Sequence, residues 1–201
     1  MLTLYDYRPS GNGYKVRLLL RFLGLPYQYE EVDILAGATH TDEFLSRNPA
    51  GKIPMLLLED GRSLPESGAI LFYLAENTPF LPEDTFDRAQ VLRWIFFEQY
   101  SHEPYIAVAR FWRSIAGMTP EREAALPEKM ERGYAALDVM EKHLRDHDCF
   151  VGQRCSIADI ALYAYTHVAP EGGFDLTGYP AINGWMERIS ALPGYATIDA
   201  G

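Results

Sequence analysis

The chain has 201 residues, with 28 acids against 18 lysines and arginines and a formal charge of −10 at pH 7. A composition of 48% hydrophobic and 23% charged residues excludes wholesale disorder. The acidic balance disfavours nucleic acid as the main partner, and no apolar run approaches the roughly 18–20 residues of a membrane span.

Two cysteines, Cys149 and Cys155, do not make a disulfide framework. The opening Met1–Asp6 lacks the basic-then-apolar pattern of a signal peptide. The expectation is a cytoplasmic chain of one large domain or two small ones. Along it, Leu2–Tyr7 alternates, with Leu2, Leu4 and Asp6 opposite Thr3, Tyr5 and Tyr7, and reads as a strand. A turn cluster, Pro9–Gly13, leads into a helix carrying Val16, Leu19, Leu20 and Phe22, which Gly24-Leu25-Pro26 stops. Tyr27–Ile34 reads as a second strand. A link with room for one helix follows, then a short strand Met55–Leu58, a hairpin turn at Glu59–Arg62, and a helix capped by Ser67 that carries Ile70, Leu71 and Leu74. The β-α-β order predicts a parallel strand pair, and the hairpin adds antiparallel strands.

After a proline-bearing linker, the strand signals stop. Residues 87–116 predict a long helical stretch with Val91, Ile95 and the 92/96/99 row inward and a kink or break at Pro104. Met130, Tyr134, Leu137, Met140 and Leu144 form a helical stripe. Ser156-Ile-Ala-Asp159 matches a capping box, and Pro180–Ile189 is a further helix. The predicted class is α/β plus all-α: a βαβ–ββα domain over 1–78, a linker over 79–86 and a helical bundle over 87–201.

Three local motifs sharpen this outline: Pro9-Ser10-Gly11-Asn12-Gly13-Tyr14-Lys15-Val16, Asn48-Pro49-Ala50-Gly51-Lys52-Ile53-Pro54 and Leu64-Pro65-Glu66-Ser67-Gly68-Ala69-Ile70. Each is weak alone. With Ser156–Asp159, in this order, they make the whole chain resemble the cytosolic glutathione transferase superfamily, in its bacterial theta-like and nu-like members with a Ser-x-Asn turn.

The resemblance implies a thioredoxin-like first domain in which Pro54 is a cis-proline that presents the backbone of Ile53 to glutathione. Glu66 and Ser67 are implied to hold the γ-glutamyl end, where a helix start favours a carboxylate. Lys52 is implied near the glycyl carboxylate, with Thr39 and His40 in the region that contacts the same end. Ser10 and Asn12 are implied to donate to the glutathione sulfur and favour its thiolate. Read locally, both are also good turn and cap residues. Tyr5 competes for the sulfur, although its place within the strand reads as packing.

The absence of cysteine from the first 78 residues argues against classes that use a protein thiol. An electrophile pocket lined by Tyr100, His102, Tyr105 and Phe111 is implied, with Phe97 and Ser101 nearby. In a homodimer, Glu98, Gln99 or Glu103 is implied to reach the neighbouring glutathione. Cys149 and Cys155 are read as structural, Asp159 as holding a helix start, and no metal constellation is apparent. The expected activity is attack of glutathione thiolate on a small hydrophobic electrophile. Glutathione-dependent disulfide reduction and a non-catalytic binding or scaffold role are the alternatives.

Overall fold

The structure is a computed structural model that describes residues 1–200. It divides into two compact units, one of Met1–Glu76 together with the segment from Pro193 onward, the other of Asn77–Leu192.

The first unit is built on a four-stranded sheet in the order β2-β1-β3-β4. Strand β1 (Leu2–Asp6) runs parallel to β2 (Tyr27–Glu31) with Leu4 opposite Tyr29, and antiparallel to β3 (Met55–Leu57) with Leu4 opposite Leu56. Strand β4 (Ser63–Pro65) closes the hairpin, with Met55 opposite Pro65. Helix α1 (Gly11–Phe22) makes the β1-to-β2 crossover, α2 (Asp42–Arg47) lies in the link, and α3 (Ser67–Leu74) follows the hairpin.

Strand alternation sorts the core into two layers. Met55 packs with Val32 and Phe44 of α2, against Tyr5 and Ile53. Leu4 and Leu56 point to the other face and are fully buried, as are Val16, Leu19 and Leu20 of α1 and Ile70 and Leu71 of α3. The second strand ends at Glu31, short of the expected Ile34: Val32 N–H still reaches the Asp6 carbonyl, after which Asp33 caps a turn through Leu35 and Ala36 N–H.

The last residues of the chain join this first unit, a departure from the expected helical domain over 87–201. Tyr14 Oη donates to the Ala196 carbonyl at 2.6 Å, Arg17 Nη1 to Ile198 at 2.6 Å and Arg8 Nη1 to Ala200 at 3.1 Å. Ile198 is buried.

In the helical unit, Asp84 caps α4 (Thr85–Phe97) by accepting from Phe86 and Asp87 N–H. The stretch does not stop at Pro104. It loosens into a π-helical turn, Glu98–His102, resumes as α5 (Glu103–Arg110) and widens again over Phe111–Ile115. Pro104 has no N–H to give to the carbonyl four residues back, so a wide turn there is expected.

Val91, Trp94 and Ile95 are the buried face of α4. The expected inward row at 92/96/99 is corrected by Phe96, which is two-thirds exposed. Thr119 caps the 25-residue α6 (Pro120–Leu144), which runs through Pro127. Every residue of α7 (Ile157–Thr166) is buried, the mark of a central helix. Asp159 is fully buried and accepts from Ser156 N–H, Phe150 N–H and the Trp185 indole at 2.9–3.0 Å, completing the capping box expected from the sequence. Helix α8 (Pro180–Ser190) closes the unit. Among the described residues no helix is long and apolar enough to cross a membrane.

Candidate functional site

The site grows from the first turn of α1. Ser10 is its N-cap, extended at φ −71°, ψ 124°, and its Oγ accepts from Gly13 N–H at 3.3 Å. A hydroxyl that accepts one hydrogen bond can still donate its own hydrogen to another acceptor. Beneath this turn lies Asp6, fully buried, which accepts from Tyr7 N–H at 2.7 Å and from Arg17 Nε at 3.0 Å. A Cβ on Gly13 would fall 1.6 Å from Asp6 Oδ1, so only glycine lets the helix start this close to the acid. Burial pushes the Asp6 carboxyl up to about 7, against the pull of Arg17. Arg17 also donates to the Arg8 carbonyl at 2.6 Å, which ties down the chain two residues before Ser10.

The start of α3 meets the start of α1 through side chains 55 positions apart. Asn12 Oδ1 accepts from Ser67 Oγ at 3.4 Å and from Lys15 Nζ at 2.7 Å. Two helix N-termini, each with backbone N–H groups lacking intrahelical partners, therefore converge on Asn12 and Ser67, and both favour negative charge.

Ser67 is buried and is the first helical residue of α3, one position past the cap expected for it. The cap position belongs to Glu66, held at φ 72°, ψ 113° without a side-chain cap bond. That backbone is costly for a residue other than glycine, and such strain tends to collect at functional sites.

Ile53–Pro54 is a cis peptide bond, as the family resemblance implied. It immediately precedes β3, whose first residue Met55 pairs with Pro65, the residue before Glu66. The end of β1, the start of β3, the end of β4 and two helix starts thus share one edge of the unit. Asn48 Nδ2 braces the loop by donating to the Lys52 carbonyl at 2.7 Å. The Lys52 and His40 side chains are exposed, and the His40 ring lies against Gly51. Thr39 is buried.

Tyr5 is on the opposite sheet face from Asp6. Its ring packs edge-on against Phe44 and its hydroxyl accepts from Arg47, which gives it a packing role.

In the helical unit the expected pocket set does not assemble as one surface. Tyr100 is 86% exposed while His102 is fully buried, its Nε2 2.9 Å from Thr166 Oγ1. His102 is therefore a core residue and lines no open pocket. Tyr105 is half-buried under Lys129 and Arg132, and Phe111 is half-buried. Glu98 is buried too, so it is withdrawn as a group reaching out of the chain; Gln99 and Glu103 remain half-buried. Cys149 and Cys155 are free thiols, and burial pushes Cys149 up to about 12 and raises Cys155 as well. Neither is activated.

Sequence reasoning assigned no role to Lys15, Arg17 or Asp6. The available signal was Asp6 itself, an acid on the apolar face of its strand.

A parallel pair joined by a helix, a hairpin entered through a cis-proline and a closing helix define a thioredoxin-like unit, here followed by an all-helical one. Residues 1–76 match the N-terminal domain of glutathione S-transferase and residues 94–193 its C-terminal domain. The chain belongs to the glutathione S-transferase family.

Among solved structures, a glutathione S-transferase from Pseudomonas fluorescens Pf-5 is 55% identical with a TM-score of 0.96, over 98% of each chain. Ure2p in complex with glutathione is 26% identical with a TM-score of 0.86, over 96% of this chain and 90% of that one. The disulfide-bond oxidoreductase YfcG of Escherichia coli K12 is 34% identical over 213 aligned residues, covering all of this chain and 96% of the relative.

Proposed function

We propose that the chain is a glutathione transferase: it binds glutathione at the shared edge of the first unit, holds its sulfur as the thiolate, and directs it at a small hydrophobic electrophile. The observation that carries this reading is the junction of the two helix starts at Asn12 and Ser67, beside the Ser10 cap and the cis-proline. A free thiol near pKa 8.5 is mostly protonated at neutral pH. Donors from Ser10 Oγ and Asn12, set in the positive end of α1, favour the anion.

The backbone of Ile53, aligned by the cis bond, pairs with the tripeptide as an added strand. The α3 start at Ser67 takes the γ-glutamyl carboxylate, Glu66 takes the ammonium group, and Lys52 with His40 serves the glycyl end. With a chloro-nitrobenzene, the thiolate adds to the ring carbon and chloride leaves. The protein contributes position and a lowered thiol pKa.

Absorbance titration of the thiolate in the glutathione complex tests the assignment. Ser10→Ala and Asn12→Ala are each expected to raise its midpoint by about one pH unit. Unchanged midpoints in both variants would remove the sulfur site from this turn.

A second reading, glutathione-dependent disulfide reduction, is supported by the likeness to the E. coli disulfide-bond oxidoreductase. It needs no protein thiol, which suits a chain whose cysteines are both raised by burial. Bound glutathione thiolate attacks a disulfide, forming a mixed disulfide and expelling one thiolate. A second glutathione then attacks the glutathionyl sulfur, giving oxidised glutathione and the second thiol. Parallel rates with a chloro-nitrobenzene and with a small mixed disulfide separate the two readings. Both place the protein as a homodimer with glutathione as co-substrate.

A further inference from the structure

Ser10 can donate to a sulfur only if its hydroxyl is aimed, and the backbone on either side sets the aim. On the C-terminal side α1 fixes it: the Ser10 carbonyl accepts from Tyr14 N–H at 2.9 Å, and Ser10 Oγ accepts from Gly13 N–H at 3.3 Å. On the N-terminal side the chain leaves β1 through a tight turn, Tyr7–Ser10, closed by Ser10 N–H to the Tyr7 carbonyl at 2.7 Å.

Residue types alone do not favour this turn. Its third position is Pro9, and the Arg8–Pro9 bond is trans. A proline there disfavours the helical backbone that a type I turn asks of the residue before it. A type II turn needs a positive φ at the same position, which proline cannot adopt. The direction of the Arg8–Pro9 peptide is therefore best set by a partner outside the turn.

Arg17 is such a partner. Its Nη2 donates to the Arg8 carbonyl at 2.6 Å, its Nε to Asp6 Oδ2 at 3.0 Å and its Nη1 to the Ile198 carbonyl at 2.6 Å. Asp6 Oδ1 in turn accepts from Tyr7 N–H at 2.7 Å. One planar guanidinium joins the end of β1, the middle of the turn and the last residues of the chain, and the first two residues of the turn are both tied to the Asp6–Arg17 pair. That pair is buried, with Arg17 2% and Asp6 0% exposed. A buried ion pair is a poor source of stability, since desolvation offsets most of the attraction. What a rigid fork with donors in fixed directions does supply is position.

We propose that Arg17 is a positioning residue of the sulfur site: by holding the Arg8 carbonyl against the Asp6 anchor, it fixes the turn that aims the Ser10 hydroxyl at the glutathione sulfur. This rests on the reading of Ser10 given above. Arg17 is buried, and its effect passes through Ser10.

A double-mutant cycle tests this in the full chain with glutathione itself, read by the thiolate titration and the glutathione Kd. Arg17→Lys keeps the charge but replaces the fork by a single ammonium group, which cannot span the three acceptors. It is expected to raise the thiolate midpoint by about half a pH unit, an about threefold weaker ionisation of the thiol, with the Kd nearly unchanged. In a Ser10→Ala background the same change is expected to add nothing.

An Arg17→Lys midpoint equal to wild type, while Ser10→Ala moves it, would overturn the proposal and leave the sulfur assignment standing. A full additional shift in the Ser10→Ala background would overturn it too, because Arg17 would then act without Ser10. If Ser10→Ala itself leaves the midpoint unmoved, the assignment of Ser10 fails and this proposal with it. Should circular dichroism show that Arg17→Lys does not fold, Arg17→Gln combined with Asp6→Asn replaces it. That pair leaves no charge buried alone, the shorter amide cannot span the same acceptors, and the same outcomes apply.

Discussion

His143 sits half-buried in a ring stack, parallel to Phe150 at 5.4 Å between centroids and edge-on to Trp94 at 4.9 Å. Burial lowers its pKa below the ordinary histidine value of 6.5, chiefly because the stack excludes the water that would solvate the cation. The unfolded chain therefore takes up this proton at a higher pH than the folded one. Below about 6.5, acid favours the unfolded state, and stability rises with pH through that window before levelling off. Replacing His143 by Phe keeps a ring in the stack and removes the titration. The gap in unfolding temperature between pH 5 and pH 7.5 is expected to narrow relative to wild type. An unchanged gap would assign the acid sensitivity to other groups.

Helix α3 begins on a strained residue, and this belongs to the scale of elements. Glu66 holds φ at 72° with no cap bond from its side chain to offset the strain. Glycine, which has no Cβ, is less strained at that positive φ. Glu66→Gly is expected to stabilise the chain by about 1 kcal/mol, after allowance for the entropy that glycine adds to the unfolded state. The same change is expected to weaken glutathione several-fold, by removing the partner of its ammonium group. Chemical denaturation and calorimetry read the two effects separately, and a destabilised variant would show that Glu66 supports the helix start after all. The long run from α4 to α5 makes a related point. It keeps its helical course across Pro104 by widening to π geometry at Glu98–His102, and α6 carries Pro127 without breaking. Proline removes one ladder bond, but packing along the remaining faces holds the direction.

Across the whole molecule, the chain returns to its beginning. Three carbonyls of the last residues receive Tyr14, Arg17 and Arg8, and Arg17 simultaneously holds Asp6 and the Arg8 carbonyl. Ending the chain at residue 192 leaves the buried Arg17 guanidinium short of an acceptor and exposes the site of Ile198. The expected cost is about 3 kcal/mol, from lost hydrogen bonds to a charged group and lost apolar burial. Hydrogen exchange should show the loss in residues 8–20, with the helical unit's α7 still protected. Unaltered protection in residues 8–20 would mean that the tail lies on the first unit without bracing it.

Periodicity and short spacings were enough to read out β1, α1, the hairpin and the Ser156–Asp159 box, and the local motifs carried the family likeness, which in turn implied the cis-proline. These depend on contacts within a few residues, so their pattern is written locally. The candidate site was legible in part: Asn12 and Ser67, named from separate motifs, come within hydrogen-bond distance, and Ser10 and Glu66 stand at the starts of the same two helices. Lys15 carried no visible signal, because a lysine in an amphipathic helix reads as surface until the fold buries it. Helical spacing marks a row but not which side the protein covers, so Phe96 emerged exposed and His102 and Glu98 buried. The pairing of Asn12 with Ser67 and the return of the tail to Arg17 join residues 55 and 181 positions apart. Only tertiary packing decides such contacts, because a polar side chain takes its partner from whatever the fold brings within reach once water is excluded.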